Sequence, residues 1–104
     1  MQIYGLKNCD SCRKACKALP QASLVDVRSQ GVPDAVLKQA IRTFGASLVN
    51  TRSTTWRTLD EQSRALPTEE LLARHPAVMK RPLIADGDNL FLGWNAATQA
   101  ALKI

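Results

Sequence analysis

Three cysteines, Cys9, Cys12 and Cys16, fall within one eight-residue window, and this crowding constrains the chain more than any other feature. A disulfide that staples a fold joins distant segments, which these three cannot do, and an odd number cannot all pair within one chain. The thiols therefore serve chemistry, metal binding or packing, and the fold must rest on an apolar core. With 104 residues, 45% of them apolar and 22% charged, the chain has the material for one domain with such a core. No apolar run approaches the roughly 20 residues that a spanning helix needs. The opening Met1-Gln2-Ile3-Tyr4-Gly5-Leu6-Lys7-Asn8 lacks the basic-then-apolar pattern of a signal peptide. Cysteines without an export signal point to the cytoplasm, where thiols stay reduced.

Periodicity and turn residues predict the order of elements. Residues 2–6 read as a strand, Asn8-Cys9-Asp10-Ser11 as a turn and helix cap, and 11–19 as a helix whose Cys12, Ala15, Cys16 and Leu19 share one face. Pro20 stops that helix. Residues 23–27 read as a second strand, and Asp34 as the cap of a helix that carries Val36, Leu37, Ala40, Ile41 and Phe44 on one side and ends at Gly45. The stretch 49–57 reads as irregular, and Thr58-Leu59-Asp60-Glu61 as a capping box that starts a short helix. Pro67 suits the first turn of a further helix that ends near His75-Pro76. Strands are expected at 82–86 and 89–93 around the turn Asp86-Gly87-Asp88, then an alanine-rich helix over 96–103 capped by Asn95. The reading is an α/β fold: a parallel pair from the first half, a hairpin from the last, together a mixed four-stranded sheet with helices. The domain spans 1–104, with a helical insertion at about 33–75.

Cys9-Asp10-Ser11-Cys12 is a C-x-x-C between a strand and a helix, which in a cytosolic βαβ setting reads as a thioredoxin-like redox motif. Outward-pointing N–H groups at the helix start favour thiolate on Cys9, and Lys7, Arg13 and Lys14 are close in sequence, while Asp10 opposes them. Cys12, one turn on, can resolve a mixed disulfide formed on Cys9. Cys16 reads as a small buried hydrophobe. Three thiols on one face also suit a metal as C-x2-C-x3-C, but a structural zinc site needs a fourth ligand and the one candidate is His75, so no metal is expected.

The net charge of +5, from 14 Lys and Arg against 9 Asp and Glu, is spread along the chain, which suits a solvated surface or a small-anion site better than a nucleic-acid tail. Arg52 and Arg57 flank the hydroxyl run Ser53-Thr54-Thr55, a loop that could wrap an anion or cap neighbouring helices. Trp56 reads as a packing anchor. In Lys80-Arg81-Pro82 the proline precedes a strand and can stand in cis or trans. Arg81 is always charged and can stabilise a thiolate or hold an oxyanion, or serve as a surface ion-pair partner.

Three ordered blocks carry a resemblance over nearly the whole chain: 4–15 around Cys9-Asp10-Ser11-Cys12, 48–59 around Asn50-Thr51-Arg52-Ser53, and 79–84 around Arg81-Pro82, with 89–94 similar to the usual last strand. The sequence resembles the arsenate reductase/Spx family, most nearly its YffB-like branch. The resemblance implies a thioredoxin-like fold with a helical insertion, a catalytic cysteine at Cys9, and a cis-proline at Pro82 preceded by a functional arginine, Arg81. Arsenate reductases carry an arginine where this chain has Asn50, and another in the segment where it has Trp94-Asn95-Ala96-Ala97. The YffB-like branch, thought to be glutathione-dependent thiol reductases, suits these positions better. Catalytic residues Cys9, Cys12 and Arg81 and substrate-binding residues Lys7, Arg13, Arg52 and Pro82 are thus expected. Glutathione is the expected co-substrate, with no bound cofactor. The expected partners are a small thiol or oxyanion and glutaredoxin, without nucleic acid or membrane, and the expected state is a monomer. The alternatives are a true arsenate reductase or a Spx-like, redox-switched regulator that binds RNA polymerase.

Overall fold

The computed structural model describes residues 1–103. The chain divides into two compact units, residues 1–30 with the segment from Arg81 onward, and residues 31–80.

The first unit is built on a sheet of four strands, β1 (Gln2–Gly5), β2 (Ser23–Asp26), β3 (Leu83–Asp86) and β4 (Asn89–Leu92), in the order β2-β1-β3-β4. β1 runs parallel to β2 and antiparallel to β3, which pairs antiparallel with β4. Helix α1 (Asp10–Ala18) makes the crossover between the parallel strands, as such a connection requires. The β3–β4 hairpin closes through Gly87-Asp88, where Gly87 at φ 59° takes a conformation that disfavours any side chain. Cross-strand partners Ile3 and Ile84 are fully buried and form a core with Ala15 and Leu19 of the α1 segment. Cys16, Leu24, Phe91, Trp94 and Leu102 pack around it. The last helix of the chain starts at Asn95, whose side chain accepts from the Thr98 N–H at 2.9 Å. This mixed sheet is the thioredoxin-like arrangement expected from the sequence.

The second unit contains α2 (Asp34–Phe44), α3 (Thr54–Thr58), α4 (Glu61–Arg64) and α5 (Thr68–Arg74), with 3₁₀ turns at Gly45–Leu48 and Pro76–Val78. The final helix of the chain, Ala96–Ala101, is then α6. Helices α2 and α5 touch each other and supply buried Leu37, Ala40, Leu71 and Leu72.

Three local expectations are corrected here. Pro33, not Asp34, is the cap of α2, because a residue with no N–H loses nothing at a helix start. The stretch 49–57 is not irregular throughout: Ser53 accepts from the Trp56 N–H at 3.1 Å and starts α3. Thr58 does not cap a helix. Its hydroxyl donates back to the Thr55 carbonyl at 2.8 Å, and Asp60 instead accepts from the Ser63 N–H at 2.8 Å to start α4. Those hydrogen bonds hold the Asp60 carboxyl below its usual range. Trp56 is half-buried, with the Arg64 guanidinium 5.3 Å from its ring centroid.

Candidate active site

β1 ends at Gly5, and β3 begins at Leu83 opposite Tyr4. This antiparallel pairing sets the loop that follows β1 beside the residues that precede β3. Cys9 and Arg81, far apart in sequence, meet there, and the Arg81 side chain hydrogen-bonds the Cys9 sulfur. The Arg81–Pro82 bond is cis, and Pro82 is fully buried.

Cys9 is the cap residue of α1, with extended backbone angles of φ −91° and ψ 124°. Its N–H donates to the Leu6 carbonyl at 3.2 Å and its own carbonyl accepts from the Arg13 N–H at 2.9 Å, so the turn is fixed on both sides. The sulfur does not close a full capping hydrogen bond, yet the Cys12 N–H is directed at it closely enough to favour negative charge. Burial raises the Cys9 pKa. The Cys12 N–H, the Cys12 thiol and the hydrogen bond and charge of Arg81 outweigh that effect and leave it below the ordinary thiol value.

The charge on Cys9 thus comes from across the sheet rather than from its sequence neighbours. Lys7 and Lys14 are exposed, as is Asp10 on the first turn of α1. Arg13 is also exposed, and its Nε donates to the Lys7 carbonyl at 3.1 Å, tying the loop to the helix.

Cys12 is fully buried. Burial, together with the neighbouring Cys9 sulfur, pushes its pKa up to about 12, against the lowering effect of the Leu6 N–H and Arg81. Cys12 therefore stays a thiol at neutral pH and donates to Cys9. Its place depends on a residue that the sequence reading missed. A Cβ on Gly5 would run into the Cys12 sulfur. The signal that was available is a glycine inside a strand, which often marks close approach of another element. Cys16 is half-buried against the sheet core, and burial raises its pKa. All three cysteines are free thiols. Among the described residues, no cluster of three or more His, Cys, Asp or Glu is placed to hold a metal.

Arg52 belongs to the second unit, where it lines a cavity with Asn50, Thr51 and Lys80. The Ser53 hydroxyl is engaged as the cap of α3, so the run 53–55 forms a helix start.

A thiolate whose folded pKa is depressed adds stability that is present above the unfolded thiol's pKa and is lost as pH falls through the folded value. Arg81→Gln removes the charge and should move the pH midpoint of Cys9 alkylation upward and slow alkylation at neutral pH. An unchanged pH profile, measured with iodoacetamide and mass mapping, would remove Arg81 from the site.

Comparison with known proteins places these features in context. A family model described as ArsC family matches residues 4–102. An uncharacterized protein of Haemophilus influenzae is 40% identical over 102 residues, covering 89% of this chain and 90% of that protein. The global transcriptional regulator Spx of Bacillus subtilis is 27% identical over 103 residues, covering 89% of this chain and 79% of that protein. A solved structure described as YFFB protein superposes with a TM-score of 0.83 at 28% identity and covers 96% of each chain.

Proposed function

The chain belongs to the ArsC family, and on that premise we propose that it is a cytoplasmic, glutathione-dependent thiol reductase with Cys9 as nucleophile. The observation that carries this reading is the Cys9 sulfur at the start of α1, with the Cys12 N–H and the Arg81 guanidinium both favouring its thiolate. A thiolate at neutral pH is the species that attacks disulfides.

The Cys9 thiolate attacks one sulfur of a substrate disulfide. A Cys9–substrate S–S bond forms, the original S–S bond breaks, and the other half leaves as a thiolate. Glutathione thiolate then attacks the mixed disulfide, restores the Cys9 thiolate and carries the substrate sulfur away as a glutathione disulfide. The first step oxidises Cys9 and the second reduces it, so glutathione supplies the reducing equivalents. Cys12 donates a hydrogen bond to Cys9 in the resting state and can resolve the mixed disulfide once it loses its proton. Lys7 and Arg13 provide positive charge next to Cys9 for the carboxylates of glutathione, and Pro82 lies next to Arg81.

Intact-mass mapping after addition of oxidised glutathione, over a pH series, tests this reading. A single adduct of glutathione on Cys9, formed with a midpoint below the free-thiol pKa of about 8.5, is expected. Conversion to a Cys9–Cys12 disulfide in wild type, and its absence in Cys12→Ser, would make Cys12 the resolving residue. Equal and slow reaction of all three thiols would overturn the nucleophile.

The similarity to Spx favours a second reading, a regulator whose Cys9–Cys12 disulfide changes a binding surface. A stable complex with RNA polymerase, without turnover of any thiol substrate, would favour it.

A further inference from the structure

We propose that the exposed side of α1 is a docking surface for an acidic polypeptide, which presents its own disulfide to Cys9. The delivery step rests on Cys9 as the nucleophile.

Helical period sorts the residues of α1. Cys12 and Ala15 are buried and Cys16 is half-buried, while Arg13, Lys14 and Lys17 are exposed on the opposite side. The Arg13 Nε bond to the Lys7 carbonyl at 3.1 Å ties the loop before Cys9 to this side, so the exposed Lys7 belongs to the same surface.

Four cations here accompany one carboxylate, Asp10. Among the described residues, none of the four forms an ion pair, and neither does Asp10. A helix face that meets only water gains from opposite charges one turn apart and mixes both signs. Arg13 and Lys17 are instead like charges at i and i+4, which destabilises a helix. Arg13 also closes the first turn, at the end where the helix dipole favours anions. An acidic segment laid along α1 offsets both costs, because its carboxylates accept from the guanidinium and the ammonium groups. The face holds no aromatic ring on which a base could stack, and a nucleic acid brings no sulfur to Cys9, so a polypeptide is the occupant. Once it is docked, the Cys9 thiolate attacks one sulfur of its disulfide. A Cys9–polypeptide S–S bond forms, the original S–S bond breaks, and the other sulfur leaves as a thiolate.

Two peptides of equal length test the surface, one with glutamates and one with lysines around a single cysteine that is joined as a disulfide to 2-thiopyridine. The thiopyridine disulfide of 2-mercaptoethanol is the neutral control, and absorbance of the released pyridinethione gives each single-turnover rate. At low salt the glutamate peptide should react at least about tenfold faster than the lysine peptide, the scale of electrostatic steering. That preference should vanish in about 1 M sodium chloride, where the screening length is about 3 Å. The double variant Lys14→Gln, Lys17→Gln should lose most of the preference and keep the wild-type rate with the neutral control. Equal rates for the two peptides, or a preference that the double variant retains, would overturn the proposal. So would an oligonucleotide that blocks the glutamate peptide more strongly than a cysteine-free glutamate peptide does. A neutral control that fails to react at Cys9 would instead remove the nucleophile and the delivery step with it. The docking surface is then decided by the cysteine-free glutamate peptide and the ¹⁵N-labelled chain: saturable shifts of the α1 amides support it, and their absence overturns it.

Discussion

Cys9→Ser should lower the rate of mixed-disulfide formation with oxidised glutathione by at least about three orders of magnitude, on the scale of removing a nucleophile elsewhere. The other two thiols cannot take over. Cys12 is fully buried and its pKa is about 12, so its thiolate is scarce at neutral pH. Cys16 packs against the sheet core, and burial raises its pKa as well. Cys16→Ser is the matched control and should keep a wild-type rate, because the groups that favour the Cys9 thiolate are Cys12 and Arg81. Stopped-flow or quenched mass analysis at neutral pH reads the difference. A wild-type rate in Cys9→Ser would overturn its assignment, and a collapse in both variants would point to unfolding, which the far-UV circular dichroism of each variant detects.

The second large effect is expected at Gly5. Its Cβ position is filled by the Cys12 sulfur, so Gly5→Ala forces α1 away from the sheet or Cys12 out of its rotamer. β1 has little freedom to yield, since it pairs with β2 on one side and β3 on the other. Overpacking of this kind costs about 1–3 kcal/mol, measurable as a lower urea midpoint at constant slope. Displacing Cys12 also removes its N–H and thiol from Cys9, so the Cys9 alkylation midpoint should rise in the same variant. Adding Cys12→Ala makes room for the new methyl, and the double variant should recover part of the lost stability relative to the sum of the singles. Strict additivity would show that the two positions do not interact and would remove this account of Gly5.

The local signals were the reliable ones. Asn95 as a cap, Gly87 in the hairpin and the strand-to-helix turn at Cys9 each act through hydrogen bonds or backbone angles within a few residues. The cap at Ser53 was equally local but was masked by competing hydroxyls, since Ser53, Thr54, Thr55 and Thr58 all offer side-chain oxygens and only the backbone decides which one meets an N–H. The cations expected at Cys9 have two sources. Lys7, Arg13 and Lys14 are its neighbours along the chain, whereas Arg81 is expected there through the family resemblance, and the guanidinium that acts on the sulfur is that of Arg81, delivered by the pairing of β1 with β3.

From its sequence alone, this chain determined the order of its elements and the position of a C-x-x-C at a helix start, because periodicity, capping and turn chemistry are short-range. Only the tertiary structure decided which cation faces Cys9, that Cys12 stays protonated against Gly5, and that Arg52 and Lys80 share one cavity. Those outcomes depend on strand order and register, which bring together residues that local sequence rules do not connect.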